Sequence, residues 1–155
     1  MDSTPKKILF AYSSPTLHHG SPRVLVDIIS GLNREKFHPI LLCPKSGELT
    51  DFVARQDVEV TISRWRSIDK SNPHLFLKDV VNFWRFLKKE KIQLLHLNEI
   101  GWRDSLVLAA WLRQIPVILH LHVRSEERRV GKEWRCGGAP GNRRTEESRE
   151  GGEWG

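Results

Sequence analysis

The chain of 155 residues has two cysteines, Cys43 and Cys136, and one tyrosine, Tyr12. Two isolated thiols make neither a disulfide framework nor a zinc cluster, so a reducing compartment is the default expectation. Long hydrophobic runs are missing. The apolar stretches fall well short of the ~20 residues that span a bilayer. Met1 to Lys7 is polar and the apolar run behind it is short, so no secretory leader is expected. Neither G-x-G-x-x-G nor G-x-x-x-x-G-K-[ST] occurs, so the dinucleotide fingerprint and the P-loop are both excluded. No internal repeat is visible. The net charge is +6, but it is scattered and accompanies no recognised nucleic-acid motif, so nucleic acid is not an expected partner. The excess of positive charge suits nucleotides, phosphates or lipid headgroups, against the plainer reading of a basic surface.

What is present is a regular alternation of strand and helix up to Val123. Ile8 to Tyr12 is continuously apolar, as in a strand covered on both faces. The loop Ser13 to Ser21 follows, with Pro15, His18, His19 and Gly20. Ser21 and Pro22 then suit the start of a helix, Pro22 to Leu32, with Val24, Leu25, Ile28, Ile29 and Leu32 at helical spacing. Phe37–Cys43 reads as the second strand. Glu48 to Gln56 reads as a short helix with Leu49, Phe52 and Val53 on one side. Val58 to Ile62 alternates and reads as a third strand near an edge. Ser63 to Asn72 is a polar loop with Trp65. A helix from Leu75 to Lys89 has so broad an apolar arc that part of it is expected to stay exposed. Ile92 to Leu97, Trp102 to Arg113 and Val117 to Leu121 complete the series as strand, helix and strand. Helical crossovers make parallel strands. The expected fold is an α/β, open doubly wound parallel sheet, with ligands above the carboxyl ends of its strands.

After Val123 the periodicity stops. The segment from Arg124 to Gly155 holds 7 of the 11 glycines and no Leu, Ile, Phe or Met. Such a composition reads as a disordered tail. Its first ten residues, RSEERRVGKE, also resemble translated read-through of a sequencing adapter, whose bases AGATCGGAAGAGC encode Arg-Ser-Glu-Glu. The expected organisation is therefore one domain, residues 1–123, truncated, followed by an artefactual or disordered segment, residues 124–155.

Three stretches together resemble the amino-terminal domain of a GT-B glycosyltransferase of the family 4 type. In His19-Gly20-Ser21-Pro22-Arg23-Val24-Leu25, with Gly31-Leu32 behind, Gly20, Arg23 and the helix stand where that family has Gly-Gly-x-Glu-Arg and a Val/Leu-rich helix. His19 replaces the first glycine and Pro22 the acid, so the backbone role of Gly20 is retained without the acidic side chain. Lys91-Ile92-Gln93-Leu94-Leu95-His96-Leu97-Asn98 is similar to the family's apolar-apolar-His strand. Ile115-Pro116-Val117-Ile118-Leu119-His120-Leu121-His122 matches its Ile-Pro turn and a strand ending in histidine. The resemblance covers Lys6 to Val123, and order and spacing carry it.

The resemblance implies the acceptor-side, Rossmann-like half of an enzyme that moves a sugar from a nucleotide-sugar to a sugar, glycan or lipid acceptor. The nucleotide-sugar is the donor substrate; no other cofactor is implied. His122, aligned with the family histidine, is the catalytic candidate. His19, Gly20, Ser21, Arg23, Asn98 and Glu99 are the substrate-binding candidates, Asn98 and Glu99 through sugar hydroxyls or, alternatively, as turn residues. His120 and His122 share a strand face, but two ligands without a third make a poor zinc site, so no metal is expected. His96 is expected to be packed and hydrogen-bonded. The half that carries the donor diphosphate site, a missing C-terminal domain, is absent from these residues, so the fragment alone is expected to be inactive. The location implied is cytoplasmic. Phe83, Trp84, Arg85, Lys88 and Lys89 offer either core packing, the favoured reading, or peripheral contact with the inner face of a membrane. The competing reading of the whole chain is a non-enzymatic flavodoxin-like or Rossmann-like module that binds a nucleotide or partner.

Overall fold

Among the described residues five strands and four helices alternate: β1 (Lys6–Ala11), α1 (Gly20–Ser30), β2 (Phe37–Cys43), α2 (Glu48–Ala54), β3 (Glu59–Ile62), α3 (Pro73–Lys89), β4 (Leu94–Leu97), α4 (Ser105–Leu112) and β5 (Val117–Leu119). They are seen in a computed structural model that describes residues 4–18, 20–68, 71–98 and 104–121. The expected tail from Arg124 lies outside those residues.

The strands form one sheet in the order β3-β2-β1-β4-β5, and every neighbouring pair is parallel. The doubly wound parallel sheet expected from the sequence is what forms. Alternate strand residues point to opposite faces, which divides the core in two. Leu9, Ala11, Ile40, Leu42, Leu95 and Leu97 face α3 and α4, which contribute Phe76, Val80, Phe83, Leu87, Leu106 and Ala109. Ile8, Phe10, Leu41 and Cys43 face α1 and α2, which contribute Leu25, Val26, Ile29, Leu49 and Val53. Covering both faces explains why β1 and β2 are continuously apolar rather than alternating.

Several boundaries and faces differ from the sequence reading. Helix α1 begins at Gly20, two residues earlier than expected, and buries Pro22, Leu25, Val26 and Ile29; Val24 is exposed. The i, i+3, i+4, i+7 stripe thus starts at Pro22, whose ring serves as core. In α2, Thr50 is buried and Phe52 is exposed. The Thr50 hydroxyl turns inward because it donates to the Gly47 carbonyl and accepts from the Gly47 N–H. Strand β3 is an edge, as expected. Strand β5 is the other edge, and all three of its residues are exposed, although their composition is that of a covered strand. Among the described residues no helix is long and apolar enough to cross a membrane.

Helices α3 and α4 end alike. Lys91 and Gln114 each follow the C-cap with φ of 55°. The N–H of the next residue, Ile92 or Ile115, donates back to the carbonyl of Leu87 or Ala110. This is the Schellman arrangement, and the isoleucine it delivers is buried in both cases.

Candidate functional site

In this strand order the chain leaves β1 toward one face of the sheet and β4 toward the other. The crevice between their carboxyl ends is the switch point where open α/β sheets take ligands. Backbone bonds carry the ladder past the carboxyl ends of the strands: Ser63 N–H donates to the Cys43 carbonyl, Tyr12 N–H to that of Leu42, Asn98 N–H to that of Ala11, and His120 N–H to that of Leu97. Residues 13–18, Gly20, Ser21, Asn98 and His120 therefore lie along one rim.

One side chain ties the two walls of this crevice together. The Asn98 amide donates to both the carbonyl and the hydroxyl of Ser21, each at 3.0 Å. Asn98 is buried, which raises the value of bonds that satisfy its amide. Ser21 thus serves as the acceptor for β4's loop and holds the first turn of α1 in place. Below it, the opening loop rests on the start of α2. Leu49 N–H donates to the Pro15 carbonyl at 2.9 Å, Leu17 N–H to Glu48 Oε2 at 3.4 Å, and His18 Nε2 lies 3.6 Å from the same oxygen.

The first turn of α1 has N–H groups without acceptors inside the helix and carries the positive end of the helix dipole. No acidic residue stands in that turn to neutralise it. Arg23 is exposed there, and among the described residues it forms no ion pair within 4 Å, with Asp27 one turn further along the helix. Gly20 is exposed, and a Cβ added to it would meet nothing within 4 Å. Backbone amides at this point are open to a ligand that carries negative charge or hydroxyl oxygens.

The structure brings Gly20, Ser21, Arg23 and Asn98 to this rim. His19, Glu99 and His122 lie outside the described residues. His96 is packed as expected, with its ring centroid 5.1 Å from that of Phe10 and 5.8 Å from the edge-on ring of His120. Its Nδ1 is buried and has no hydrogen-bond partner among the described residues. Burial first, and the neighbouring His120 charge second, hold the His96 pKa below the ordinary 6.5.

Two features were not anticipated from the sequence. The loop after β3 crosses to the start of α4, where Ser67 Oγ bonds Asp104 Oδ1, Ser105 N–H donates to the Arg66 carbonyl, and the Ser105 hydroxyl accepts from Arg66 N–H. Arg66 also meets Asp79 of α3 at 3.2 Å. Beside this loop a cavity of about 220 Å³ opens between β3 and α3, with Thr61, Ser63, Arg64, Asp79 and Asn82 as its polar lining and Phe83 among its apolar lining. Only a polar loop next to an amphipathic helix marked this place in the sequence.

Comparison with known proteins points one way. The sequence model of Glycosyltransferase Family 4 matches residues 18–147. The chain is 30% identical over 124 residues to the UDP-Gal:alpha-D-GlcNAc-diphosphoundecaprenol alpha-1,3-galactosyltransferase of Escherichia coli, a match that covers 77% of this chain and 31% of that protein. In fold it is similar to a glycosyltransferase from Rickettsia africae ESF-5, with a TM-score of 0.60, 16% identity and coverage of 81% of this chain and 33% of that one. It is also similar to Acinetobacter baumannii MurG, with a TM-score of 0.58, 15% identity and coverage of 83% and 39%. The chain thus spans about a third of the length of the proteins it matches.

Proposed function

The chain belongs to Glycosyltransferase Family 4, and from that premise we propose that it is the acceptor-side domain of an enzyme that moves a sugar from a nucleotide-sugar to a lipid-linked acceptor. The observation that carries this reading is the switch-point crevice, where the open first turn of α1 is held by Asn98 of the β4 loop. The name of the Escherichia coli relative supports a uridine-diphosphate donor and a diphosphate-lipid acceptor.

In this reading Gly20 and Ser21 offer backbone amides to phosphate or sugar oxygens, and Arg23 adds charge at the same edge. Asn98 acts through Ser21 as a positioning residue. His122 serves at the strand end, and His19 and Glu99 contact substrate. Transfer from a nucleoside diphosphate needs the leaving phosphates neutralised. That task falls to a second domain of the full-length protein, so these 155 residues alone should not turn over. The location that follows is the cytoplasmic side of a membrane, where the lipid acceptor is displayed.

The test is donor turnover by the full-length gene product, with a panel of nucleotide-sugars and a polyprenyl-diphosphate-sugar acceptor. Sugar transfer from at least one donor is expected, with Asn98→Ala lowering kcat/KM about tenfold or more, as loss of a positioning bond does. Failure of the full-length protein to bind or consume any donor overturns the reading. Resequencing the locus belongs to the same test. It is expected to leave the RSEERRVGKE sequence after Val123 and to run into a second domain of similar size.

A further inference from the structure

At the β3 edge the sheet and α3 do not close on one another. Ala11, Leu42 and Thr61 stand side by side in register on β1, β2 and β3. They share the face that α3 and α4 cover. Helix α3 packs along α4, and the small Thr61 ends the aliphatic row at the sheet's edge. Above it lies the cavity of about 220 Å³. Pockets for drug-sized ligands run from about 300 to 1,000 Å³, so this one suits a single ring.

The lining divides by chemistry. Phe83 and Phe86, one helical turn apart on α3, join Leu42 as its apolar side. Thr61, Ser63, Arg64, Asp79 and Asn82 form its polar side. Asp79 is held by Arg66 at 3.2 Å. Among the described residues, the side chains of Thr61, Ser63, Arg64 and Asn82 make no hydrogen bond or ion pair with another residue. Their bonding capacity is therefore open to a ligand. A carboxylate only accepts, a guanidinium only donates, and hydroxyls and an amide do both. The one carboxylate of the lining balances its one guanidinium, so neither a strong anion nor a strong cation is favoured. A wholly apolar ligand would cover these polar groups without bonding them.

We propose that the cavity between β3 and α3 binds one neutral pyranose ring, its C–H face on Phe83 and Phe86 and its hydroxyls toward Thr61, Ser63, Asp79 and Asn82. A pyranose is two-sided in the same way as the cavity. Its ring carbons present an apolar face, and each hydroxyl at its rim both donates and accepts. The site lies on the face of the sheet opposite α1, so it is separate from the crevice of Gly20 and Ser21. The ring is held there and not converted. The proposal thus adds a sugar site beyond the transfer reading, and its measurement needs no donor.

The test is an NMR titration of the 155-residue chain with the methyl glycosides of glucose, galactose and N-acetylglucosamine. At least one is expected to bind with a millimolar Kd, the scale for so small a ligand. It should shift the Thr61, Ser63 and Asn82 amides more than those of Gly20 and Ser21. Thr61→Val with Asn82→Ala should weaken that binding about tenfold or more, the loss expected when hydroxyl and amide bonds to the ligand are removed. Neither lost group bonds another described residue, and an unchanged circular dichroism spectrum verifies the fold. Thr61→Ser, which keeps the hydroxyl, should retain binding, and Gly20→Ala should leave it unchanged. No binding at about 50 mM glycoside would overturn the proposal, since even a weak ring-sized ligand registers there. So would shifts centred on Gly20 and Ser21, or a double variant that binds as the parent does. Tighter binding of inorganic phosphate to the same amides would also overturn it, because Arg64 would then mark an anion site. If glycosides bind but the full-length protein consumes no donor, the transfer reading fails while this site stands.

Discussion

Two glycines border the opening loop, and their surroundings are opposite. A Cβ at Gly47 would lie 2.8 Å from the Pro15 Cβ and 2.9 Å from the Pro15 carbonyl oxygen, whereas one at Gly20 would meet nothing. Gly47→Ala should therefore cost about 1–3 kcal/mol by forcing the loop off α2, the scale of overpacking. Gly20→Ala should leave the thermal midpoint within about 2 °C of the parent or raise it, because alanine is the better helix former. In the full-length protein, on the transfer reading proposed above, Gly20→Ala should still raise KM for the donor or acceptor, since the added methyl enters the space proposed for the ligand. Equal effects of the two substitutions on both readouts would contradict this division. His96 supplies a second test. Its folded pKa lies below 6.5 because burial, then the charge of facing His120, disfavours the imidazolium. From about pH 6.5 downward the unfolded chain binds more protons at this position than the folded one does, so stability falls as pH drops toward the folded pKa and then levels. Thermal melts across this range should show a drop that His96→Gln reduces; an undiminished drop in the variant assigns it to other groups.

The helix ends show what the sequence conceals. Lys91 and Gln114 hold φ of 55°, a region in which side chains other than glycine and asparagine are strained. Gln114→Gly should stabilise the chain by about 1 kcal/mol, measured by urea denaturation; a loss of stability would show that the Gln114 side chain makes a contact worth more than the strain. Neither ending was legible beforehand, because the usual glycine signal is absent and the conformation is set by the burial of Ile92 and Ile115 after it. What local pattern encodes was legible. All nine elements occur in the expected order, since each is marked by its own apolar periodicity, and β3 lies at an edge as its alternation suggested. The faces misread, Val24 for Val26 and Phe52 for Thr50, are those where a proline ring or a side-chain hydrogen bond replaced an aliphatic contact. The ties between Ser67 and Asp104 and between Asn98 and Ser21 leave no periodic trace, because each joins residues far apart in the chain. Gly20, Ser21 and Arg23 were recognised from a motif and Asn98 from its place after a strand. That Asn98 acts on Ser21 could be read only in three dimensions.

Among the described residues the sheet is covered on two faces, and β5 has no neighbour on its outer side. Val117, Ile118, Leu119 and Leu121 are 37–50% exposed along this edge, and Leu112 of the preceding helix is 51% exposed. An apolar edge strand is a template for pairing with another chain. The isolated 155-residue chain should therefore self-associate as its concentration rises, and Ile118→Lys should reduce that association in light scattering; unchanged scattering would place the contact elsewhere. The bond from Asn98 to Ser21 joins residues 77 apart in the chain. During synthesis the loop after β1 leaves the ribosome early, yet the side chain that fixes it arrives only after β4. Closing so long an interval is an entropic cost met late in folding. The first loop made is thus among the last to take its shape, and a nascent chain halted before Asn98 would carry the crevice in an unfinished form, without its tether.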